Sequence, residues 1–464
     1  MEEKSSPLSP RSSNAESIAL VLTACVISAL MIYLVHLRNY VFGSELGHWV
    51  YPYLSSLPFF PEWILLTVLL SVALFVFLGG KFIHSHEKIT LFVLFLFGVF
   101  IQSLIRRIYP FSLGAVVESD TANSFYSPAI SHSALEVLSK FNDLVSSFPL
   151  HARSNMPGKI LLFEFFTLFT SSTEAMGYLV IIISSVGALL LYGICKRLFH
   201  DRQIAFYALT LYVLLPCKVF FFPILNTVTP VLMLLCFYFL VVYLDNKHNF
   251  LPWLLGISFF ILALFEPSPL ITGIVMAGIT IYALKEGKLS RKEFYRLILY
   301  TLLGFLAISL IFYVLFSFNF FQSFFYILDE ARNFNVNDGR GYLIWIIENS
   351  REFFYSAGVP VMIIFIYMAI LIFAKTKTLK ETTHWSLENV FVISLLINYM
   401  VLLFLGINRG EITRLWIYLA VLFQVPASVF IAKIGKGTII FFLVAGLLAM
   451  QGMVTLHRIG FVFP

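Results

Sequence analysis

The hydrophobic positions of this chain form long runs that few polar residues interrupt. Fourteen such runs occupy residues 17–37, 58–79, 89–105, 157–170, 175–195, 204–223, 227–244, 251–265, 269–284, 297–318, 357–374, 387–406, 413–432 and 438–456. A helix needs about 20 apolar residues to cross the hydrocarbon core of a bilayer. Strands are excluded as the spanning element because an open sheet edge cannot satisfy its backbone groups in lipid. The pattern therefore predicts an all-α polytopic membrane protein.

The composition indicates the same class. Hydrophobic residues make up 59% of the chain and charged residues only 12%, whereas a soluble domain carries roughly a quarter charged residues. The net charge of +6 does not indicate nucleic acid, because the basic residues stand in short clusters between apolar runs, where they set membrane topology. The lipid bilayer is the predicted environment, and no nucleic-acid partner is expected.

The distribution of Lys and Arg predicts how the runs cross. The strongest basic cluster, from Lys285 to Arg296, should be cytoplasmic, and so should the clusters at 81–88 and 196–202. Strict alternation of all fourteen runs would put either the 81–88 cluster or both the 196–202 and 285–296 clusters on the wrong side. The conflict disappears if run 157–170 enters and leaves by the same face or lies in the interface. We therefore expect about 13 transmembrane helices plus a short re-entrant or interfacial helix.

This topology divides the chain into three parts. A disordered cytoplasmic leader, a single transmembrane helical domain and a short external tail are expected at residues 1–16, 17–456 and 457–464 respectively. The long external loops are expected at 38–57, 106–156 and 319–352. Most of the unusual polar residues fall in these loops or in short turns on the same side. Chemistry is therefore predicted on the extracytoplasmic face.

The long external segment contains two groups of interest. Glu118 and Asp120 precede a stretch, 131–145, whose apolar residues recur at helical spacing. An amphipathic helix there either lies in the membrane interface or packs on the bundle. Glu45 and His48 belong to the first external loop. Any of the three carboxylates could act as a general base on a sugar hydroxyl, or be an ordinary solvated loop residue.

A second group surrounds the start of run 157–170. Pro157 opens a helix, and Lys159 lies in its first turn, where a cation opposes the helix dipole by about 0.3–1 kcal/mol. That placement indicates an anion between the helix terminus and the lysine, to which His151 and Arg153 could also bind. The alternative is that Lys159 extends to the lipid headgroups.

The third group is the stretch from Asn408 to Trp416. Arg409 and Arg414 are predicted to be external, against the usual inside bias, and arginine suits phosphate binding. Glu411 and Arg414 share a helix face and could instead form a structural ion pair. Glu266, in a proline-rich turn between two runs, is either a functional group near membrane depth or part of a tight turn. The segment 329–341 is a mobile lid or a connector.

These stretches together resemble the GT-C glycosyltransferases, membrane enzymes that use polyprenyl-phosphate-linked sugars. The resemblance rests on three stretches: the acidic pair Glu118 and Asp120, the helix opening from His151 to Gly158, and Arg409-Gly410-Glu411 with Arg414-Leu415-Trp416. The chain departs from the family pattern at Met156, where a proline is common. It also lacks the paired acidic residues that many members carry in their first loop, which leaves the catalytic base open.

The resemblance implies a GT-C-like fold and a transferase in the cell envelope. The sugar would move from a polyprenyl-phosphate donor to a hydroxyl of an acceptor glycan, lipid or protein. The implied catalytic carboxylate is Asp120, Glu118 or Glu45, and the implied phosphate ligands are Lys159, Arg153, His151, Arg409 and Arg414, with Glu411, His48 and Glu266 in structural or acceptor roles. No cofactor and no metal ligand are assigned, and the residues leave a divalent metal open. A bacterial inner membrane is expected.

Three other classes of function stay open at this stage, and one of them is a structural or assembly protein with no activity. A transporter or flippase would show repeats and helices broken near the bilayer midplane, but the sequence contains no evident repeat. An O-antigen polymerase or ligase would also handle lipid-linked sugars with external arginines.

Overall fold

The computed structural model describes residues 14–54, 62–378, 386–434 and 437–464. Helices dominate these residues, in chain order α1 (Asn14–His36), α2 (Glu62–Phe82), α3 (Glu87–Arg106), α4 (Leu113–Glu118), α5 (Tyr126–Ser131), α6 (Ala134–Ser139), α7 (Phe141–Leu144), α8 (Leu150–Arg153), α9 (Gly158–Thr167), α10 (Thr173–Phe199), α11 (Arg202–Val213), α12 (Pro216–Phe220), α13 (Thr229–Asn246), α14 (Leu251–Phe265), α15 (Gly273–Lys285), α16 (Arg291–Phe316), α17 (Phe320–Asn337), α18 (Tyr342–Ser356), α19 (Val359–Thr378), α20 (Leu387–Leu405), α21 (Ile412–Leu415), α22 (Ile417–Ala432) and α23 (Gly437–Arg458). Short 3₁₀ turns lie at Val145–Ser147, Leu225–Thr227 and Ser268–Thr272. The first loop forms a small antiparallel hairpin of β1 (Gly43–Ser44) and β2 (Trp49–Val50).

The protein is an all-α integral membrane protein that crosses the bilayer many times. Within the described ranges, ten helical segments are long and apolar enough to span a membrane. An eleventh span results if α18 and Val359–Ala374, which meet at a bend of 112°, count as one. The thirteen runs predicted to cross correspond to these ten segments plus α14, α19 and α22. Three of the thirteen predicted crossings therefore depend on helices outside the ten segments, namely the two shorter helices α14 and α22 and one arm of the bent pair, α19.

The run at 157–170 forms the short helix α9. Its ten residues span about 15 Å at 1.5 Å per residue, whereas the hydrocarbon core is about 30 Å thick. A helix of this length does not cross the bilayer by itself. Gly158 lets it approach the end of α14 closely, since a Cβ there would lie 2.6 Å from the Leu264 carbonyl oxygen.

The stretch 131–145 is not one continuous amphipathic helix. His132 is extended and Ser133 caps α6, so a new helix starts there, and Lys140 ends it after six residues. The apolar residues Leu138, Phe141 and Val145 are buried in the protein core, although Leu135 is exposed. The stretch therefore packs on the bundle as a chain of short turns.

Two of the predicted boundaries also change or lie outside the described residues. Residues 1–13 of the expected leader and residues 55–57 of the first loop fall outside the described ranges. Asn14 to Glu16, predicted as part of the leader, already form the first turn of α1.

The bundle has two distinct ends. At one end, Thr173 at the start of α10 donates a hydrogen bond to Glu118 (2.7 Å). At the other end, Lys196 near the end of α10 pairs with Glu87 at the start of α3. The start of α13 and the end of α14 lie beside each other, because Thr229 donates to Glu266 there. Arg197, near the end of α10, pairs with Asp245, near the end of α13 (3.0 Å), so these two neighbouring helices run in the same direction.

Candidate functional site

A cavity of about 360 Å³ gathers residues from distant parts of the chain. Its walls come from six segments, at 122–125, 150–155, 224–226, 266–271, 324–340 and 402–415. The titratable side chains among its lining residues are His151, Glu266, Arg340, Arg409, Glu411 and Arg414. Five of these six were singled out from the sequence, and the structure brings them together at one site.

Glu411 is the centre of the charged wall. Its Oε1 accepts a hydrogen bond from Arg340 Nη2 (3.3 Å), and its Oε2 accepts one from Arg414 Nη2 (2.5 Å). Burial alone would raise the pKa of this carboxyl group, but the charges of Arg414 and Arg340 outweigh it and hold the pKa below its usual value. Glu411 is therefore an ionised anchor that fixes two guanidinium groups in the wall.

The backbone at Glu411 has an uncommon conformation. Gly410 and Glu411 both have positive φ, +85° and +59°. A non-glycine residue with positive φ is uncommon, and strain of this kind persists where the surrounding contacts enforce it. At Gly410 a Cβ would lie 2.8 Å from the Trp345 ring, so the position requires glycine for space as well as for its torsion angle.

One face of α18 supplies the contacts that hold this loop. Trp345, Asn349, Glu352 and Ser356 follow one another at helical spacing, so they share a face. Asn349 donates to the Asn408 carbonyl (2.9 Å) and accepts from the Gly410 N–H (3.1 Å). Ser356 and Glu352 both hydrogen-bond the Thr413 hydroxyl. The sequence reasoning missed these residues because nothing in the pattern shows which face of α18 meets which loop.

Arg340 and Arg409 bind each other's backbone. Arg340 Nη1 donates to the Arg409 carbonyl (2.6 Å), and Arg409 Nη1 donates to the Arg340 carbonyl (2.8 Å). Arg340 also pairs with Asp338 (3.3 Å), whereas Arg409 forms no ion pair with a carboxylate in the described parts of the chain. Its guanidinium stacks on Tyr342. Arg409 is thus the cation of the wall whose charge no carboxylate balances.

His151 also lies against Arg414, whose Nη2 contacts both Glu411 and the His151 ring. Its Nε2 is 3.1 Å from Arg414 Nη1 and also 3.1 Å from the Thr121 carbonyl oxygen. Burial and the neighbouring Arg414 lower the pKa of His151 to about 3. The imidazole is therefore neutral at physiological pH, and a ring nitrogen can accept a hydrogen bond from Arg414.

Lys159 does not reach the headgroups but is buried against Glu266. Its Nζ lies 2.8 Å from Glu266 Oε2 and 3.3 Å from Asn155 Oδ1. Glu266 also accepts hydrogen bonds from the side chains of Asn226, Thr229 and Ser268. The anion next to Lys159 is thus a carboxylate of the protein itself. Glu266 lines the cavity, while Lys159 lies directly behind it.

The remaining predicted residues lie outside the cavity wall. Asp120 is exposed and accepts a hydrogen bond from Ser127 (2.5 Å), but it directly precedes the segment that lines the cavity. Glu118 accepts from Thr173. Arg153 pairs with Glu330 (3.3 Å). Glu45 and His48 are exposed in the first hairpin and are absent from the lining.

Sequence comparisons and metal chemistry add no assignment. No protein-family model matches the chain, and no curated protein is significantly similar to it. In the described part of the chain, no group of three or more His, Cys, Asp or Glu side chains has an arrangement that could hold a metal ion. The site is therefore interpreted from its own geometry.

Proposed function

We propose that the protein is a glycosyltransferase that moves a sugar from a polyprenyl-phosphate donor to an acceptor hydroxyl on the extracytoplasmic face. The observation that carries the proposal is the charge of the cavity wall. Three arginines, Arg340, Arg409 and Arg414, face two glutamates there. Two charges lie behind the wall, on Lys159, which pairs with Glu266, and on Asp338, which pairs with Arg340, and their contributions to the net charge are equal and opposite. With His151 neutral, one positive charge stays unbalanced.

One positive charge matches one phosphodiester. A sugar linked to a polyprenyl phosphate carries a single negative charge, and the polyprenyl phosphate that leaves carries about −1.5 to −2 at pH 7. The fixed guanidinium groups therefore bind the charge that develops on the leaving phosphate more strongly than the charge of the donor. Stabilisation that grows toward the transition state is what accelerates a reaction.

The other walls of the cavity are apolar, which suits an isoprenoid chain. Side chains from α17, from the 3₁₀ turn after Glu266 and from the end of α20 form them, namely Phe324, Ile327, Leu328, Leu270, Ile271, Leu402 and Leu405. Ligand sites of this kind combine mostly apolar walls with a few well-placed polar groups. The polar wall would hold the phosphate and the apolar walls the first isoprene units.

Asp120 is our choice for the general base. Glu411 is held by two arginines and Glu266 by Lys159 and three further donors, so neither is free to take up a proton. Asp120 accepts one side-chain hydrogen bond, is exposed and precedes the lining residue Ala122 by two positions. In the reaction, the acceptor oxygen attacks the anomeric carbon, its proton passes to Asp120, and the bond between that carbon and the phosphate oxygen breaks.

The test is turnover of radiolabelled polyprenyl-phosphate sugars by the purified protein in lipid nanodiscs, with release of polyprenyl phosphate as the readout. Arg409→Ala should lower kcat by about 10²- to 10³-fold, the usual effect of removing one preorganised donor. Arg332→Ala is the matched control, because this exposed arginine on α17 lies outside the cavity lining and pairs with the exposed Asp329 three residues away. Asp120→Asn should abolish turnover and leave donor binding intact. Equal turnover in wild type and Arg409→Ala would refute the proposal.

A transporter is the second candidate, because one described pair of helices is broken. α18 and α19 meet at 112°, and a buried acid, Glu352, lies one turn before the bend. Broken helices with buried ionisable groups are typical of secondary transporters. Liposome uptake of labelled lipid-linked sugars in the absence of an acceptor separates this activity from transfer.

A further inference from the structure

Glu352 is a buried acid next to the site that the proposed reaction does not yet use. Its side chain is fully buried in the face of α18 that holds the loop at 408–413. Its Oε2 accepts a hydrogen bond from the Thr413 hydroxyl (3.3 Å), and its Oε1 has no hydrogen-bond partner. The hydrogen-bond donors that act on this carboxyl group, a hydroxyl and a backbone N–H, both belong to Thr413.

No cation pairs with this carboxyl group in the described parts of the chain. Arg351, its neighbour in sequence, donates to the carbonyls of Val41 and Gly43 and pairs with Glu348. An ionised carboxylate that is buried and unpaired costs several kcal/mol. The surroundings of Glu352 therefore favour the neutral carboxylic acid.

Thr413 connects Glu352 to the charged wall. It stands between Glu411 and Arg414 in the turn that presents both side chains to the cavity. The Thr413 hydroxyl donates to Glu352 Oε2 and lies 2.8 Å from the Ser356 hydroxyl, which also donates to the Glu352 backbone carbonyl (2.6 Å). Glu352 and Ser356, one helical turn apart on α18, therefore both hold this segment through the side chain of Thr413.

We infer that Glu352 is a positioning residue, which as a neutral acid holds Thr413 and thereby aims Glu411 and Arg414 into the cavity. If Glu352 were ionised, its charge would act on Glu411, with which it is in electrostatic contact. The other charged or titratable groups in electrostatic contact with it are Arg351 on its own helix, Tyr40 before β1 and Tyr51 after β2. The kinetic part of the inference rests on the proposed function, whereas the protonation state does not.

Infrared spectroscopy of the purified protein tests the protonation state without any substrate. A protonated carboxylic acid has a carbonyl stretching band that is separate from the bands of carboxylates. Wild type at neutral pH should show a band that Glu352→Gln removes. Glu348→Gln is the matched control on the same helix, because Glu348 is paired with Arg351 and contributes no such band. A wild-type spectrum without a band that depends on Glu352 overturns the inference.

Turnover of the polyprenyl-phosphate donor tests the positioning role. Glu352→Ala and Thr413→Val should each raise the donor KM by about tenfold, since each removes the same hydrogen bond. The double variant should be no worse than either single variant, because residues in one contact are not additive. Glu352→Gln, which keeps a neutral group of the same shape, should restore activity and extend it to higher pH. Additive losses, or Glu352→Gln as impaired as Glu352→Ala, contradict the role.

The two proposals fail in different ways. No turnover with any lipid-phosphate sugar, together with the infrared band, removes the proposed function and leaves the neutral acid established. Turnover that depends on Arg409, together with no band, removes only the inference about Glu352.

Discussion

The buried pair of Lys159 and Glu266 allows a prediction whose size follows from the contacts. Both side chains are almost fully buried, at 1% and 6% exposure, and their charged atoms are 2.8 Å apart. Removing one partner of such a pair typically destabilises a protein by about 3–5 kcal/mol, because the other charge stays buried alone. In Lys159→Ala, Glu266 would keep its hydrogen bonds from Asn226, Thr229 and Ser268. We therefore expect a loss near the lower limit, about 3 kcal/mol.

Removal of the glutamate gives a different result. In Glu266→Gln, Lys159 would retain one hydrogen bond to Asn155 and two ring contacts, with Phe125 and Phe265. Burial already lowers the pKa of Lys159, and Glu266 is the main group that raises it. Without Glu266 the lysine should lose its proton, which limits the loss of stability. The double variant Lys159→Met with Glu266→Gln removes both charges and should be within about 1 kcal/mol of wild type, since buried pairs can be replaced with little loss.

Reversible unfolding in mixed detergent micelles, followed by circular dichroism for all four proteins, measures these free energies. The same variants decide what Lys159 does. If Lys159 bound the donor phosphate, the double variant would be stable but would lose donor binding. Because Lys159 lies behind the wall, we expect donor affinity to change by less than about tenfold, or 1.4 kcal/mol. A double variant as unstable as Lys159→Ala would refute the reasoning from charge burial.

Three further predictions concern the loop and its neighbours. Gly410→Ala should abolish turnover and lower thermal stability, because the new Cβ would clash with Trp345 and because the positive φ disfavours alanine. A melting curve and the donor assay test this. Gly446→Ala is the control, since a Cβ there meets no atom within 4 Å. Asn349→Ala should lower the free energy of unfolding by about 1–3 kcal/mol, because it leaves a carbonyl and an N–H of the loop unpaired. An unfolding free energy equal to that of wild type would show that Asn349 does not stabilise the loop. His151 binds its proton less readily in the folded state, with a pKa of about 3 against 6.5, so the free energy of unfolding should fall as the pH drops from 6.5 toward 3. His151→Gln should show a shallower fall in melting temperature over this range. An unchanged slope would contradict the assignment of the low pKa to His151.

The sequence was sufficient for the class of protein and for much of the cavity wall. Runs of apolar residues specify membrane helices directly, because the bilayer imposes both length and polarity. Arg409, Glu411 and Arg414 could be singled out because external arginines are unusual and the three lie within six residues. His151 and Glu266 could be singled out because polar residues at helix ends near the membrane need a local reason.

What the sequence could not give is the pairing of distant residues. Lys159 and Glu266 are 107 positions apart, and each had an acceptable explanation alone, so nothing in the pattern joined them. Arg340 stood in a segment that reads as a lid or a connector. Glu352 and Asn349 were hidden in an ordinary helix, because the face that a helix turns toward a loop depends on packing. For the same reason, three carboxylates that looked equivalent as bases turned out to occupy different surroundings.

The reciprocal hydrogen bonds between Arg340 and Arg409 have a mechanical consequence. They join the end of α17 to the loop after α20, and Asn335 adds a third bond, to the Ile407 carbonyl (2.7 Å). A ligand that draws the Arg409 guanidinium toward itself must therefore either strain these hydrogen bonds or move the last turn of α17 with it. A fluorophore attached in place of the exposed Arg332, which does not itself line the cavity, would report ligand arrival from outside.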